Sequence, residues 1–409
     1  MKQEFTCRSC GDVHGRLFLD LGNQPLANNL LAAADLDRSE PRFPLRVFVC
    51  PNCWLVQITD TVPPVELFSD YVYFSSYSET MLQHARQAVG DHLADGTLGA
   101  DSLVVEIASN DGYLLKNLVA AGIPCLGIEP ARNIATVARE NGVETICEFF
   151  SLETARSLTK QGRVADLILG NNVFAHAPDT NDFVAGLKEL LAPRGRIALE
   201  FPYALDLFAG VEFDTIYHEH VFYFTLHGLR PLFDRHGLEI FRVEHLPIHG
   251  GSLRLYAGHR GGHAITDSVA TWLNREAEAG VVRMDYYESF GAKVETIRRD
   301  LLALLKRLKS TGKRIAGYGA SAKGSTLMNY CGIVADDLEF VADRSPHKQG
   351  RFTPGTHIPI VAPEELSVRR PDHTLLLTWN FADEILRQQQ GYRDAGGKFI
   401  IPLPEVREV

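Results

Sequence analysis

Residues 104–112 read VVEIASNDG, and the predicted fold rests on the pattern of these nine residues. A run of strand-forming residues that contains Glu106 enters a turn of small and polar residues, and a helical pattern at 113–121 follows. Such a turn between a buried strand and a helix lets the backbone approach a ligand closely. Because the turn lacks the glycines of a GxGxxG motif, it supports a dinucleotide site only weakly.

Strand and helix patterns alternate on both sides of this stretch, between about residues 80 and 260. Strand patterns occur at 102–107, 124–128, 166–169, 196–201, 238–243 and 252–257, and helical patterns between them include 182–191 and 227–236. Alternation of this kind predicts an α/β fold with a mainly parallel sheet covered by helices. A long amphipathic helix at about 289–310 leads to a second α/β unit, with strand patterns at 314–318, 338–342, 374–378 and 398–401. We therefore predict three domains, at 1–65, 66–260 and 261–409.

Composition limits the classes of partner. The 409 residues are 45% hydrophobic, which suits a globular protein of two or three domains, and the net charge of -10 argues against nucleic acid as a partner. No apolar run approaches the length that crosses a bilayer, so we expect no membrane partner. The start, MKQEFTCRSC, has no apolar region of a secretory signal. With four of seven cysteines in CxxC pairs, a reducing, cytoplasmic location is expected.

The two cysteine pairs predict a metal site. Cys7 and Cys10, and then Cys50 and Cys53, have the spacing of a four-thiolate zinc site in which each pair chelates from one tight turn. A closed set of four thiolates leaves no position for substrate, so we expect a structural Zn²⁺ that contributes folding free energy. The alternative is a redox dithiol, although such motifs usually occur singly. The remaining cysteines lie in apolar contexts and are expected to be buried: Cys125, Cys147 and Cys331.

Several polar groups follow predicted strands of the middle domain. Because open α/β sheets bind ligands beyond the carboxyl ends of their strands, these groups are expected at one edge of the sheet. They are the 108–112 turn, Glu129, Asn171, Asn172, His176 and the segment Tyr217-His218-Glu219-His220. His14 and His84 are interpreted as ordinary surface histidines.

The segment 217–220 places four proton-handling side chains in succession inside the aromatic frame FDTIYHEHVFYF. A half-buried phenol, carboxylate and imidazole together favour general acid–base chemistry, and a hydrogen-bonded structural turn is the alternative. In a strand, Glu219 and His220 would point to opposite faces, so a shared site requires a bent loop. We expect Tyr217, Glu219 and His220 to face the site and His218 to face elsewhere. A metal site at His218 and His220 lacks a third clear ligand.

The strand that ends at an acidic residue, the 108–112 turn and the sequence Gly127-Ile128-Glu129 resemble class I S-adenosylmethionine methyltransferases. That resemblance implies a Rossmann-like middle domain. It implies that the turn faces the methionine portion of the cofactor and that Glu129 accepts hydrogen bonds from the ribose hydroxyls. The cofactor-binding residues expected on this basis are Glu106, Ala108, Asn110, Gly112, Glu129, Asn171 and Asn172.

The whole chain resembles a narrower family. The cysteine pairs, EIASNDG, NNVFAH, DTIYHEHVFYF, HGGSLR and GYGASAKGSTLMNYCG occur in one order. That order is similar to the zinc-containing sugar C-methyltransferases that act at carbon 3 of nucleotide-linked 4-keto-6-deoxy sugars. The resemblance implies that His220 removes the proton from the carbon to be methylated, with Glu219 and Tyr217 as its neighbours. It also implies catalytic roles for His176 and Tyr71.

In the C-terminal unit, the segment at 317–323, GYGASAK, resembles a degenerate Rossmann phosphate loop. Backbone N–H groups at a helix N-terminus favour an anion, which the resemblance identifies as the diphosphate of a dTDP- or GDP-linked keto sugar. NAD is the alternative occupant, with Asp343 as the ribose ligand, and Trp379 and Asn380 lie just beyond a strand end. The expected substrate-binding residues are His249, Gly251, Ser252, Arg254, Tyr318, Ser321 and Lys323.

Two other functions remain open at the level of the sequence. One is a NAD-dependent oxidoreductase acting on a nucleotide sugar through the loop at 317–319. The other is a non-catalytic zinc-containing scaffold protein, an option that Ala108 and Asn110 support because they replace the more usual glycines. The oligomeric state is open, with a monomer among the options.

Overall fold

The computed structural model describes residues 5–69, 74–248 and 250–409, so the predicted site residues Tyr71 and His249 lie outside the described residues. The strands are β1 (Arg16–Gln24), β2 (Phe43–Val49), β3 (Val56–Ile58), β4 (Val104–Ile107), β5 (Cys125–Ile128), β6 (Thr145–Ile146), β7 (Ala165–Asn171), β8 (Leu191–Pro202), β9 (Phe222–Tyr223), β10 (Leu238–Leu246), β11 (Ser252–His259), β12 (Ile315–Tyr318), β13 (Val341–Ala342), β14 (Ile360–Val361), β15 (His373–Leu376), β16 (Lys398–Ile401) and β17 (Arg407–Glu408).

The helices connect these strands along the chain. They are α1 (Pro64–Phe68), α2 (Glu79–Leu93), α3 (Leu115–Ala120), α4 (Arg132–Glu140), α5 (Leu152–Lys160), α6 (Thr180–Leu190), α7 (Ala204–Ala209), α8 (Leu226–Arg235), α9 (Asp267–Ala279), α10 (Met284–Ser310), α11 (Ala322–Cys331), α12 (Glu365–Arg369), α13 (Ala382–Gln388) and α14 (Gln390–Asp394). Within the described ranges, no helix combines the length and the apolar composition that a bilayer crossing requires.

The middle sheet has the order β10-β11-β8-β7-β4-β5-β6. Strands β4 to β8 run parallel, while β11 pairs antiparallel with both β8 and β10. Val104 and Ile107 in β4 and Leu126 in β5 are buried on a sheet covered by helices on both faces, as parallel strands require. The connection after β4 leads to β5 on one side of the sheet, whereas the connection after β7 leads to β8 on the other side. A switch point of this kind opens a crevice at the carboxyl ends of the two strands. The predicted α/β fold is confirmed.

The C-terminal sheet repeats this plan. Its order is β14-β13-β12-β15-β16-β17, and every pairing is parallel except that of β17 with β16. The strand order reverses between β12 and β15, so a second crevice lies at the carboxyl ends of these two strands. The strand predicted at 338–342 is shorter than expected, because only Val341 and Ala342 pair with their neighbours.

The N-terminal sheet is antiparallel and crosses the proposed domain limits. Its order is β1-β2-β3-β9, and β9 comes from the segment that follows the titratable residues at 217–220. The long helix α10 packs a stripe of apolar side chains that includes Tyr287 and Phe290 against Phe18 of β1. The division at 65 falls within α1 and that at 260 follows β11. The proposed middle domain therefore contributes one strand, β9, to the N-terminal sheet.

Candidate active site

The turn after β4 has a backbone conformation that glycine would favour. Ala108 has φ +53°, Asn110 has φ +51° and Gly112 has φ +76°. A left-handed conformation costs an alanine about 1–2 kcal/mol, and such strain concentrates at functional sites. The turn therefore keeps the local geometry of a glycine-rich ligand loop, although two of its three residues with positive φ are not glycine.

Glu129, at the end of β5, holds this turn. Its carboxylate accepts hydrogen bonds from the backbone N–H of Asn110 at 3.0 Å and of Ala131 at 2.9 Å. Burial raises the pKa of Glu129, and the two N–H donors oppose that rise. A carboxylate has about four lone-pair positions, so two bonds leave capacity for ligand hydroxyls.

Four buried oxygens at the same edge have no hydrogen-bond partner among the described residues. They are Oε2 of Glu106, Oγ of Ser109, Oδ1 of Asp111 and Oδ1 of Asn172. Burial raises the pKa of Glu106 well above its usual value, and the charges of Glu129 and Asp111 add to the rise. Because buried polar atoms are rarely unpaired, these acceptors fit a ligand that carries amino and hydroxyl donors. S-adenosylmethionine carries both, so these residues fit that cofactor.

A segment before α2 covers the turn. The backbone N–H of Ser75 donates to Oδ1 of Asn110 at 2.9 Å, and that of Ser76 donates to Oδ2 of Asp111 at 3.2 Å. Farther along, Nε2 of His84 lies 2.7 Å from Oε1 of Glu200 in β8. These contacts tie the start of α2 to the carboxyl edge of the sheet.

The surface interpretation of His84 is therefore wrong. Its side chain is 16% exposed and is paired with a buried carboxylate. The signal was available in the sequence: His84 is three residues after Met81 and next to Ala85, on the apolar face of α2. His14 is exposed, as expected.

The segment 217–220 forms the bent loop that a shared site requires. The backbone N–H of His220 donates to the carbonyl of Tyr217 at 2.9 Å. Nδ1 of His220 lies 3.0 Å from the carbonyl oxygen of Thr215, and Nε2 lies 3.1 Å from the hydroxyl of Tyr217. Since a carbonyl only accepts, the proton belongs on Nδ1, and the Tyr217 hydroxyl donates to the lone pair of Nε2. When the ring is neutral, these contacts select the tautomer with its proton on Nδ1.

His176 lies beside this pair. The rings of His176 and His220 are 4.9 Å apart, and Nδ1 of His176 donates to the carbonyl of Glu219 at 2.6 Å. Burial lowers the pKa of His176 to about 4, so the ring is neutral near pH 7. The structure thus brings together three of the predicted catalytic groups, Tyr217, His220 and His176.

The N-terminal domain contacts the other two members of the segment. The side-chain amide of Asn28 donates to Oε1 of Glu219 at 2.7 Å. His218 is 2% exposed, and its Nε2 donates to the carbonyl of Pro44 at 3.2 Å. His218 therefore belongs to the interface with the N-terminal domain. Asn28 lies in no motif and is 191 residues away along the chain, so the sequence carried no signal for it.

Pairing of β9 with β3 anchors the chain immediately after His220. Phe222 pairs with Gln57 and Tyr223 with Val56, and the backbone N–H of Ile58 donates to the carbonyl of Val221 at 2.9 Å. The N-terminal sheet therefore holds one end of the bent loop.

The four paired cysteines form a compact cluster. Their Sγ atoms all lie within 4.8 Å of one another, with 3.5 Å between Cys7 and Cys53 and 3.6 Å between Cys10 and Cys50. Tetrahedral zinc with Zn–S bonds of about 2.3 Å requires sulfurs about 3.8 Å apart, so the four thiols fit the ion. Among the described residues this is the cluster with a metal-type ligand set, and the two histidines at 218 and 220 are not part of one. Of the other cysteines, Cys125 and Cys331 are buried and Cys147 is half-buried.

Residues at the carboxyl ends of β12 and β15 contact the segment that precedes the bent loop. Oγ of Ser321 caps α11 by accepting the N–H of Gly324 at 3.1 Å. Nζ of Lys323 lies 3.7 Å from Oε2 of Glu212 and 5.0 Å from the ring centre of Trp379. Asp343 accepts the N–H of Ala320 at 2.7 Å, in the way that Glu129 holds Asn110.

Some predicted diphosphate contacts need correction. Arg254 is 4% exposed and lies 3.1 Å from the buried carboxylate of Glu200, while Ser252 is fully buried and donates to the carbonyl of Ile248. A Cβ at Gly251 would lie 2.1 Å from Oδ2 of Asp206. A neighbouring carboxylate repels a diphosphate, and buried side chains with partners cannot reach one. Tyr318 is buried, at 3% exposure, but its hydroxyl has no hydrogen-bond partner among the described residues. Tyr318, Ser321 and Lys323 remain candidates.

Comparison with known proteins identifies the family. Family models described as "Putative zinc binding domain", "Methyltransferase domain" and "C-methyltransferase C-terminal domain" match residues 7–68, 79–243 and 247–404. The C-methyltransferase NovU of Streptomyces niveus is 38% identical over 404 residues, which cover 98% of this chain and 96% of that protein. The chain belongs to the C-methyltransferase family. Its middle domain has the class I methyltransferase fold, whose cofactor is S-adenosylmethionine, and its N-terminal domain binds zinc.

Solved methyltransferases resemble part of this C-methyltransferase. The magnesium protoporphyrin IX methyltransferase of Synechocystis PCC 6803 with bound S-adenosylmethionine is 18% identical, with a TM-score of 0.34, over 44% of this chain and 79% of that one. An S-adenosylmethionine-dependent methyltransferase of Anabaena variabilis is also 18% identical, with a TM-score of 0.35, over 43% and 84%. Membership in an enzyme family favours the methyltransferase interpretation over the oxidoreductase and the scaffold.

Proposed function

We propose that this C-methyltransferase transfers a methyl group from S-adenosylmethionine to C3 of a nucleotide-linked 4-keto deoxy sugar, with His220 as the base. The observation that carries the proposal is the hydrogen-bonded series from Thr215 through His220 to Tyr217. In the neutral form of His220, these hydrogen bonds leave the lone pair on Nε2. The ring lies near the cofactor edge of the methyltransferase sheet in this proposal, where a substrate carbon would require a base.

His220 can perform this deprotonation because its Nδ1–H is already committed to Thr215. Nε2 takes the proton from the carbon beside the ketone, and the electron pair of that C–H bond becomes the enolate, with its charge on the former ketone oxygen. Such a carbon is acidic only if the enolate is stabilised. The hydroxyl of Tyr217, released from Nε2 when the substrate enters, is the donor that we assign to that oxygen.

Glu219 and His176 support the loop. His176 holds the carbonyl of Glu219 at 2.6 Å, and Glu219 itself is 7% exposed with Asn28 as its donor. Burial raises the pKa of Glu219, and Asn28 opposes that rise. We assign both residues to the orientation of the loop. Tyr71, outside the described residues, stays a candidate by resemblance alone.

The cofactor site is assigned to residues at the ends of β4, β5 and β7. When bound, S-adenosylmethionine supplies an electrophilic methyl group on a sulfonium. The unpaired oxygens of Glu106 and Asn172 would accept hydrogen bonds from its amino group, and the 108–112 turn would face its methionine portion. Glu129 would accept hydrogen bonds from its ribose hydroxyls. The half-exposed Asn171 ends β7 at the same edge.

The C-terminal crevice is proposed to bind the nucleotide. Lys323 supplies a cation, and the capped N-terminus of α11 supplies N–H donors for the diphosphate. Both lie beside the short helix Phe213–Thr215 that precedes His220, so a sugar linked to this diphosphate could extend toward the base. The nucleotide is dTDP or GDP in this proposal.

Incubation with S-adenosylmethionine and a panel of dTDP- and GDP-linked 4-keto-6-deoxy sugars, followed by mass spectrometry, tests the proposal. We expect one methyl group to be added to at least one sugar. His220→Asn should abolish turnover while leaving the calorimetric affinity for S-adenosylmethionine nearly unchanged. His218→Asn, two residues earlier, should remain active because His218 contacts the N-terminal domain. Absence of product with every sugar, or full activity of His220→Asn, would refute the proposed function.

A further inference from the structure

A hydrogen bond joins the C-terminal domain to the segment that precedes the bent loop. Nε1 of Trp379, which follows β15 at the switch point, donates to Oδ2 of Asp214 at 2.6 Å. Asp214 is fully buried in the short helix Phe213–Thr215, which the middle domain contributes. The indole is half-exposed, so it reaches from the open crevice to this buried carboxylate.

The same short helix carries the partner of the base. The carbonyl of Thr215, the residue after Asp214, accepts the Nδ1–H of His220 at 3.0 Å. The helix also packs its first residue, Phe213, against Tyr330 of α11, with 5.3 Å between the ring centres. One side of the helix therefore contacts the C-terminal domain, while its last carbonyl sets the tautomer and orientation of His220.

Lys323, the residue proposed to bind the diphosphate, contacts both Trp379 and Glu212. Its ammonium lies 5.0 Å from the ring centre of Trp379 and 3.7 Å from Oε2 of Glu212. Burial raises the pKa of Glu212 to about 7, and Lys323 opposes that rise. An anion that binds Lys323 therefore competes with Glu212 for the ammonium and alters the charge above the indole ring.

We propose that Trp379 and Asp214 are positioning residues that link binding of a nucleoside diphosphate in the C-terminal crevice to the orientation of His220. The proposal rests on the proposed function, since it assigns the base to His220 and the diphosphate to Lys323. The indole N–H orients Asp214, Asp214 orients the helix, and the helix presents the Thr215 carbonyl to the imidazole. Substrate without its nucleotide would then meet a less well oriented base.

A purely structural role for the hydrogen bond between Trp379 and Asp214 would not require a buried carboxylate. Oδ1 of Asp214 makes no hydrogen bond of good geometry among the described residues, although the backbone N–H groups of Asp214 and Thr215 lie near the carboxylate. Burial raises the pKa of Asp214, whereas Lys323, the indole N–H and these backbone N–H groups lower it. Apolar side chains would join two domains without burying a carboxylate. Retention of the carboxylate is explained if its hydrogen bond transmits orientation.

The kinetic test uses Trp379→Phe, which keeps an aromatic ring under Lys323 and removes the N–H donor. We expect kcat to fall by about 10-fold or more, as for loss of a hydrogen bond to a buried charge, with the KM for S-adenosylmethionine unchanged. The acid limb of the pH profile of kcat should also move, because the protonation equilibrium of a mispositioned His220 changes. Asp214→Ala should show the same changes, and Asp214→Asn, which keeps an acceptor oxygen, should recover most of the loss. Trp272→Phe, outside this connection, is the matched control.

A binding test works without turnover. The chain has three tryptophans, so Trp54→Phe and Trp272→Phe together leave Trp379 as the single indole fluorophore. Titration with dTDP and with GDP should change its emission, and Lys323→Ala should abolish the change. If Trp379→Phe does not fold, as judged by circular dichroism, the comparison of Asp214→Ala with Asp214→Asn decides.

The two possible failures are distinguishable. If the unmodified protein methylates no nucleotide sugar, the proposed function fails. If it does so, while Trp379→Phe and Asp214→Ala retain the wild-type kcat and pH profile, the link from Trp379 to His220 is refuted and the proposed function stands.

Discussion

Substitution of Asn28 tests how the N-terminal domain supports the bent loop. Its amide donates to Oε1 of Glu219 at 2.7 Å, and Glu219 is 7% exposed. Asn28→Ala removes this donor and leaves the buried carboxylate with less support. A hydrogen bond to a charged group contributes about 1.5–3 kcal/mol, and the lower end applies here because water can reach the exposed position of Asn28.

Loss of this hydrogen bond disfavours the ionised form of Glu219. A loss of about 1.4 kcal/mol shifts an ionisation equilibrium by about tenfold, so the pKa of Glu219 should rise further above its ordinary value. A carboxyl whose pKa is raised in the folded protein stabilises the fold below its unfolded pKa, and this contribution is lost as the pH rises through the folded pKa. The substitution should therefore destabilise the protein more at about pH 8 than at about pH 5.

Two measurements follow. Guanidinium unfolding of Asn28→Ala and of the unmodified protein, each at about pH 5 and pH 8, should show a larger difference in free energy of unfolding at the higher pH. The pH profile of methylation should have its acid limb displaced to higher pH if ionised Glu219 is required. Asn29→Ala, at the exposed neighbouring position, is the control. An Asn28→Ala penalty that does not depend on pH would refute the coupling between Asn28 and Glu219.

Three further predictions concern the zinc site, the cofactor turn and the second crevice. Cys10→Ser should lower zinc content in elemental analysis and raise hydrogen exchange at 217–223, because β9 pairs with the zinc-bearing sheet, whereas Cys147→Ser should change neither. Glu129→Gln, with a single acceptor oxygen for two backbone N–H donors, should weaken S-adenosylmethionine binding by roughly 10-fold in calorimetry. Gly319→Ala places a Cβ 2.4 Å from Thr378 and should destabilise the protein by more than the ~1–2 kcal/mol of left-handed strain, in thermal unfolding. Gly332→Ala, with φ +72° and open space, should show the strain alone.

The bent loop at 217–220 depends on all three sheets. Its bond to Thr215 leads through Asp214 to the C-terminal crevice, β9 joins it to the N-terminal sheet, and His176 follows β7 of the middle sheet. Contacts from the N-terminal, middle and C-terminal domains therefore converge on this loop and on the short helix that precedes it.

Local patterns in the sequence were sufficient for the parts that short-range physics controls. Two CxxC pairs predict a four-thiolate cluster, because their spacing is a property of one turn each. A buried strand that enters the turn at 108–112 predicts the cofactor edge, and the alternation of side chains in a strand predicts that 217–220 must bend. The separation of His218 from Tyr217, Glu219 and His220 was an expectation that followed from the bent loop, because a regular strand would place His218 and His220 on the same face.

Tertiary structure decided which groups meet. Asn28 contacts Glu219 across 191 residues and Trp379 contacts Asp214 across 165, and neither pair has a spacing or composition that a sequence pattern could reveal. Arg254 was expected at a diphosphate and instead pairs with Glu200, because β8 and β11 are adjacent in register. Periodicity reports which side of an element is apolar, and burial then places polar groups against partners that only the packing of the sheets supplies.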